Sequence, residues 1–115
     1  MSWAETVGHI RAVLFEDETG GWSAQCLDYD ITAQAQTFLD LQDEIVRVLV
    51  THIAACAQLG REPFSEIKQA PQRFWELYDG GLRVDSRPSS FTCANLRVPP
   101  ITPELRIARL AALAA

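Results

Sequence analysis

Hydrophobic and polar positions alternate over residues 10–15, with Ile10, Ala12 and Leu14 on one side and Arg11, Val13 and Phe15 on the other. That period of two marks a strand. Glu16-Asp17-Glu18-Thr19-Gly20-Gly21 is a turn signal, with glycines able to take positive φ. Alternation resumes over residues 22–27, which predicts a hairpin. After a short connection at Tyr29-Asp30, Ile31, Ala33 and Ala35 face inward and Thr32, Gln34 and Gln36 outward, a third strand. The period then changes to 3.6 over residues 37–59. Thr37 stands at the N-cap position with Asp40 three residues on, and Gly60 stands where a C-terminal cap belongs. Asp40, Asp43, Glu44, Arg47, Thr51 and Gln58 form the polar arc of this helix. Its apolar arc takes in Phe38, Leu41, Ile45, Leu49, His52 and Cys56, and continues through Leu39, Val46, Val50 and Ile53. Such an arc is nearly twice the roughly 100° stripe of an ordinary surface helix. One sheet cannot cover it, so either the C-terminal third or a second subunit is expected to cover the rest.

Beyond Gly60 the pattern is less regular. Pro71 opens a short helix that ends at Gly80 and carries Phe74, Trp75 and Tyr78, an aromatic group expected to cover the back of the long helix. Residues 82–90 are polar, residues 91–98 fit one further strand, and Thr102-Pro103-Glu104 has the form of a helix start, predicting a final helix over residues 102–115. The expected fold is α+β: a three-stranded antiparallel meander with a long helix on one face over residues 1–60. Residues 61–115 form an extension that completes the same domain or an oligomer interface.

At 115 residues, 48% hydrophobic and 22% charged, the chain has the composition of one soluble globular domain. Its charge is uneven. Residues 1–81 hold 5 Lys and Arg against 13 Asp and Glu, a net of −8, whereas the remainder nets +3. An acidic body disfavours general nucleic-acid binding and suits a basic partner. Three cysteines, Cys26, Cys56 and Cys93, lie in apolar stretches without a C-x-x-C pair, the usage of a reducing compartment. With no apolar run of membrane-spanning length and no basic n-region at the N-terminus, the chain is expected to be cytoplasmic and not to enter a membrane.

Catalytic chemistry finds little support. Asp28 and Asp30 are the one close carboxylate pair near a strand end, in a connection where Asp is a routine turn former. His52 and Cys56 have metal-capable i, i+4 spacing, but they fall within the apolar arc with no second ligand pair. No P-loop, dinucleotide fingerprint or nucleophile–base motif is present, so the chain is expected to be neither an enzyme nor a cofactor binder. The stretch from Asn95 to Pro100, followed by a predicted helix with Arg106 and Arg109, is similar to the opening of a ribbon-helix-helix module, in which a strand carrying an Arg such as Arg97 reads DNA. The second helix of such a module has no room before Ala115, so nucleic-acid binding is not expected.

The order of strand, acidic E-D-E-x-G-G hairpin with Trp22 after it, third strand and Thr37-capped helix resembles the HicB-like antitoxin domain over residues 8–60. The matching positions are residues 13–16, Gly20, Gly21 and Trp22, residues 31–36, Thr37, Asp40, and the helical face of Leu41, Ile45 and Leu49. The chain departs from the family at Leu27-Asp28-Tyr29-Asp30, where a Pro-x-Leu-x-Gly-Cys passage is common, and it lacks a complete DNA-binding module. The resemblance implies a partial ribonuclease H-like fold and an antitoxin that occludes a small, basic, HicA-type ribonuclease toxin. Candidate partner-binding groups are Glu16, Asp17, Glu18, Asp28 and Asp30, as charge complementary to such a toxin. A homodimer or larger homo-oligomer is expected, with Leu39, Val46, Val50, Ile53, Phe74, Trp75 and Tyr78 as its candidate interface. The alternative is a stand-alone, self-associating domain of the same type with no toxin.

Overall fold

The computed structural model describes residues 2–89, 92–93, 96–98 and 100–109. In it a short helix, α1 (Trp3–Gly8), precedes the hairpin of β1 (Arg11–Glu16) and β2 (Trp22–Cys26). Ser2 caps α1 through the Glu5 backbone N–H. Asp17 organises the hairpin turn: its Oδ1 accepts the backbone N–H groups of Thr19 (2.9 Å) and Gly21 (3.0 Å) and the Thr19 hydroxyl (2.6 Å). β3 (Thr32–Ala35) pairs antiparallel with β2 and leads into α2 (Phe38–Gln58). Thr37 caps α2 by accepting the Asp40 N–H, and the Thr37 hydroxyl donates to Asp40 Oδ2 at 2.8 Å. At the other end Gly60 takes φ 66°, and the N–H groups of Gly60 and Arg61 return to the carbonyls of Ala57 and Cys56. That is a complete Schellman cap, which needs the left-handed residue that glycine supplies without strain.

The sheet is larger than the expected three-stranded meander. Its five strands run in the order β3-β2-β1-β7-β4, with β4 (Leu82–Val84) and β7 (Glu104–Ile107) added beyond β1. β7 lies parallel to β1, with Ala12 opposite Leu105 and Leu14 opposite Ile107, while the other pairings are antiparallel. The final helix predicted from Thr102 is therefore corrected: residues 104–107 form a strand, and residues 110–115 lie outside the described residues. Tertiary pairing with β1 overrides the helix-start signal of Thr102-Pro103-Glu104. The single strand expected over residues 91–98 is instead two short strands of one hairpin, β5 (Thr92–Cys93) and β6 (Leu96–Arg97), separate from the main sheet.

Alternate residues of β1 point to opposite faces, so both faces carry a core. Ala12 and Leu14, with Ala24, Cys26 and Ala33, pack under Leu41, Ile45, Leu49 and Ile53 of α2. The wide apolar arc of α2 is completed by the chain itself, since Val7, Phe64, Val98 and Ile101 belong to the same core. On the opposite face Val13 and Leu27 pack with Tyr78 of α3 (Gln72–Asp79), flanked by Phe15, Phe74, Trp75 and Leu77. The aromatic helix therefore covers the second face of the sheet and not the back of α2. Three guanidinium groups cover its rings: Arg11 over Trp75 at 4.5 Å, Arg73 over Phe74 at 4.6 Å and Arg106 over Tyr78 at 4.4 Å.

Candidate functional site

The five acids singled out in the sequence divide between the two ends of β1. Glu16 closes the hairpin end, and Asp28 binds at the other end, where it accepts the Arg11 backbone N–H at 3.0 Å. Five strand steps, roughly 16 Å, lie between these ends. They do not form one surface.

At the Arg11 end the carboxylates are already engaged. Asp28 Oδ1 takes the Arg11 guanidinium at 2.7 Å, and its side chain is mostly buried between Arg11 and the connection. This hydrogen bond is the main reason the Arg11 pKa is raised above its ordinary value. Asp30 accepts the Gln25 amide at 2.8 Å, and its backbone N–H donates to the Lys68 carbonyl at 2.7 Å. Asp28 is thus a structural group, holding the start of β1 to the β2–β3 connection.

The hairpin end is different. Glu16 and Glu18 are exposed, and neither forms an ion pair among the described residues. Asp17 beside them serves the turn, and its pKa is lowered chiefly by the Thr19 hydroxyl and then by the N–H groups of Thr19 and Gly21. Register brings the start of α2 to this same end. Glu16 pairs with Trp22, Trp22 pairs with Ala35, and the Trp22 ring meets Phe38 edge-on at 5.1 Å. Asp40, Asp43, Glu44 and Arg47 then line a shallow groove of ≈ 380 Å³ with Gln34, Ala35 and Gln36. Arg47 pairs with Glu44 at 3.2 Å and Arg87 with Asp43 at 3.3 Å, both at the surface. Register thus sets the three hairpin acids (Glu16, Asp17, Glu18) and the three acids of the first turns of α2 (Asp40, Asp43, Glu44) toward the same end of the sheet, where Arg47 and Arg87 pair with Glu44 and Asp43. Asp40, Asp43 and Glu44 were visible in the sequence as the polar arc of α2; their place at the hairpin end of the sheet was not.

The candidate interface residues are also dispersed. Val46 and Ile53 are wholly buried in the chain's own core, and Val50 is half-buried against it. Tyr78 is buried on the opposite face of the sheet, with Phe74 and Trp75 packed around it. Leu39 alone is widely exposed, at 83%. These seven side chains therefore cannot make a single interface.

His52 and Cys56 lie together, with Cys56 Sγ 3.4 Å from His52 Nε2. The same nitrogen accepts the Phe64 backbone N–H at 2.9 Å, which fixes the neutral tautomer protonated at Nδ1. Burial lowers the His52 pKa. Among the described residues no group of three or more His, Cys, Asp and Glu could hold a metal ion, and no helix is long and apolar enough to cross a membrane.

No protein-family model, curated protein or solved structure matches this chain. The fold and the acidic end define its class: a small α+β protein with a five-stranded mixed sheet, helices on both faces and a negatively charged end.

Proposed function

We propose that this chain is a HicB-like, antitoxin-type binding protein of the cytoplasm, without catalytic activity, that occludes a small basic ribonuclease toxin of the HicA type. The observation that carries the reading is the gathering of Glu16 and Glu18 on the hairpin with Asp40, Asp43 and Glu44 on α2 at one end of the sheet. Carboxylates so placed steer a basic partner and set its orientation, through association rate and specificity more than through raw affinity. The meander leading into a Thr37-capped helix, with Trp22 against Phe38, supports the same reading. Asp28 and Asp30 drop out of the contact surface, because they serve Arg11 and Gln25.

The test is titration with the basic product of a short neighbouring reading frame, for wild type and for Glu16→Lys/Glu18→Lys. Wild type is expected to bind and inhibit the ribonuclease. The double variant is expected to lose at least about tenfold in association rate at low salt, and to show a weaker salt dependence. Unchanged affinity and salt dependence would reject the acidic end as the contact surface. The second reading, a self-associating domain without a toxin, is favoured by the exposed Leu39 and Leu82. A defined homo-oligomer indifferent to the basic ribonuclease would establish it.

A further inference from the structure

The second edge of the sheet carries an arrangement that the acidic end does not explain. β4 has a single strand neighbour, β7, among the described residues, so its outer backbone groups have no ladder partner there. Such an edge is a template for another strand unless it is blunted. On the α2 side of the sheet, Leu82 is 55% exposed and Leu39 is 83% exposed. Leu39 and Val84 line one depression with Leu14, Phe38 and Leu105.

On the other side Arg83 stands directly opposite Arg106 of β7, a like-charge cross-strand pair. Arg106 is committed to the Tyr78 ring and to the carbonyls of Tyr78 and Asp79. Arg83 and Asp85 are both exposed, and neither takes part in an ion pair among the described residues. Two exposed charges of opposite sign, Arg83 on β4 and Asp85 just past its end, therefore flank Val84 with no ion pair among the described residues.

The geometry points to a second copy of this chain as the occupant of the β4 edge. A two-fold axis through Val84 sets β4 antiparallel to its copy. In that register Val84 opposes Val84, and Arg83 opposes Asp85 of the copy, in both directions. An isologous interface requires this self-complementarity, in which residue i meets j and j meets i. The carboxylate of each copy offsets the Arg83–Arg106 repulsion in the other. The five-stranded sheet becomes a continuous ten-stranded one. On its α2 side Leu82 and Leu39 of both copies lie near the axis and lose water together, which supplies the apolar area that a short strand pair lacks. A register centred on Arg83 is disfavoured, since it would set two guanidinium groups face to face.

Sedimentation equilibrium on the full chain tests this. Wild type is expected to be a dimer at about 100 µM. Arg83→Asp and Asp85→Arg are each expected to weaken dimerisation at least about tenfold, because each places like charges across the axis. The double swap Arg83→Asp/Asp85→Arg is expected to return the dissociation constant to within about threefold of wild type. Amide exchange at residues 82–85 should slow with protein concentration in wild type and in the double swap. A wild-type monomer at that concentration, or a dimer unmoved by both single variants, overturns the proposal. Weakening in the singles with no recovery in the swap overturns the register.

Discussion

Phe64 is a buried aromatic held at φ 64°, a left-handed conformation that a residue with a Cβ adopts at a cost. Its ring stacks on Tyr29 at 4.2 Å, meets His52 at 4.5 Å and lies 6.1 Å from Trp3, so one side chain ties α1, the β2–β3 connection and α2 together. Removing the ring in Phe64→Ala should cost about 3–5 kcal/mol, the range for a buried Phe. With an m-value of about 2 kcal/mol/M, that moves the urea midpoint down by roughly 2 M. Phe64→Gly removes the same ring but also the Cβ. At a negative φ, glycine would be about 0.5–1 kcal/mol worse than alanine. At this φ, alanine retains a strain of about 1–2 kcal/mol that glycine lacks. The order therefore inverts: Phe64→Gly should be as stable as Phe64→Ala or more so, by up to about 1.5 kcal/mol. Both variants keep the backbone N–H that donates to His52, so the comparison isolates the dihedral. Equilibrium urea unfolding followed by circular dichroism reads the difference directly. A glycine variant less stable than the alanine variant by about 0.5–1 kcal/mol would refute a left-handed Phe64.

Three further outcomes are expected. Because the His52 pKa is lowered in the folded chain, the unfolded chain takes up the proton first. Its contribution to stability should be complete above the ordinary value of 6.5 and be lost as pH falls from there toward the lowered folded value; urea midpoints between pH 7 and pH 5 should show this decline, and His52→Gln should flatten it. Asp28→Ala leaves the part-buried Arg11 N–H without its acceptor, so it should cost about 1–3 kcal/mol in urea unfolding, yet leave the affinity for a basic partner unchanged, the opposite of Glu16→Lys/Glu18→Lys. Burial pushes the Cys26 thiol up to about 12, so peptide mapping after brief alkylation of the native chain at pH 8 should find the half-buried Cys56 modified and Cys26 protected; equal labelling would contradict the burial of Cys26.

The first sixty residues were legible because their signals are local. Alternation fixed the inward faces of β1 and β3, and Thr37 and Gly60 marked both ends of α2 within a residue. Helix α1 had a signal as well, since Ser2 and Glu5 have capping-box spacing. Its single wholly buried side chain, Val7, gives a six-residue helix no periodicity to detect. β7 failed for a different reason. Over residues 104–107 the helix-start residues and the alanines that follow outweigh a four-residue alternation, and only pairing with β1 on one side and β4 on the other makes it a strand. The candidate site was half legible. Acidic residues can be counted in a sequence, but register alone reveals that Glu16 and the start of α2 lie at the same end of the sheet, while Asp28 lies at the far end of the strand and is held by Arg11.

The parallel pairing of β1 with β7 carries a consequence for how the chain comes to be folded. During synthesis the hairpin, β3 and α2 are complete before β7 exists, and 87 residues lie between Glu16 and Glu104. At about 5–20 residues per second, that interval lasts roughly 4–18 s. Throughout it the inner edge of β1, with Ala12, Val13 and Leu14 destined for full burial, has no strand beside it. The last strand among the described residues thus closes the centre of the sheet and not its margin. Closure across so long a loop is slow. The nascent chain is most exposed to misassociation at the strand that becomes the most protected in the finished protein.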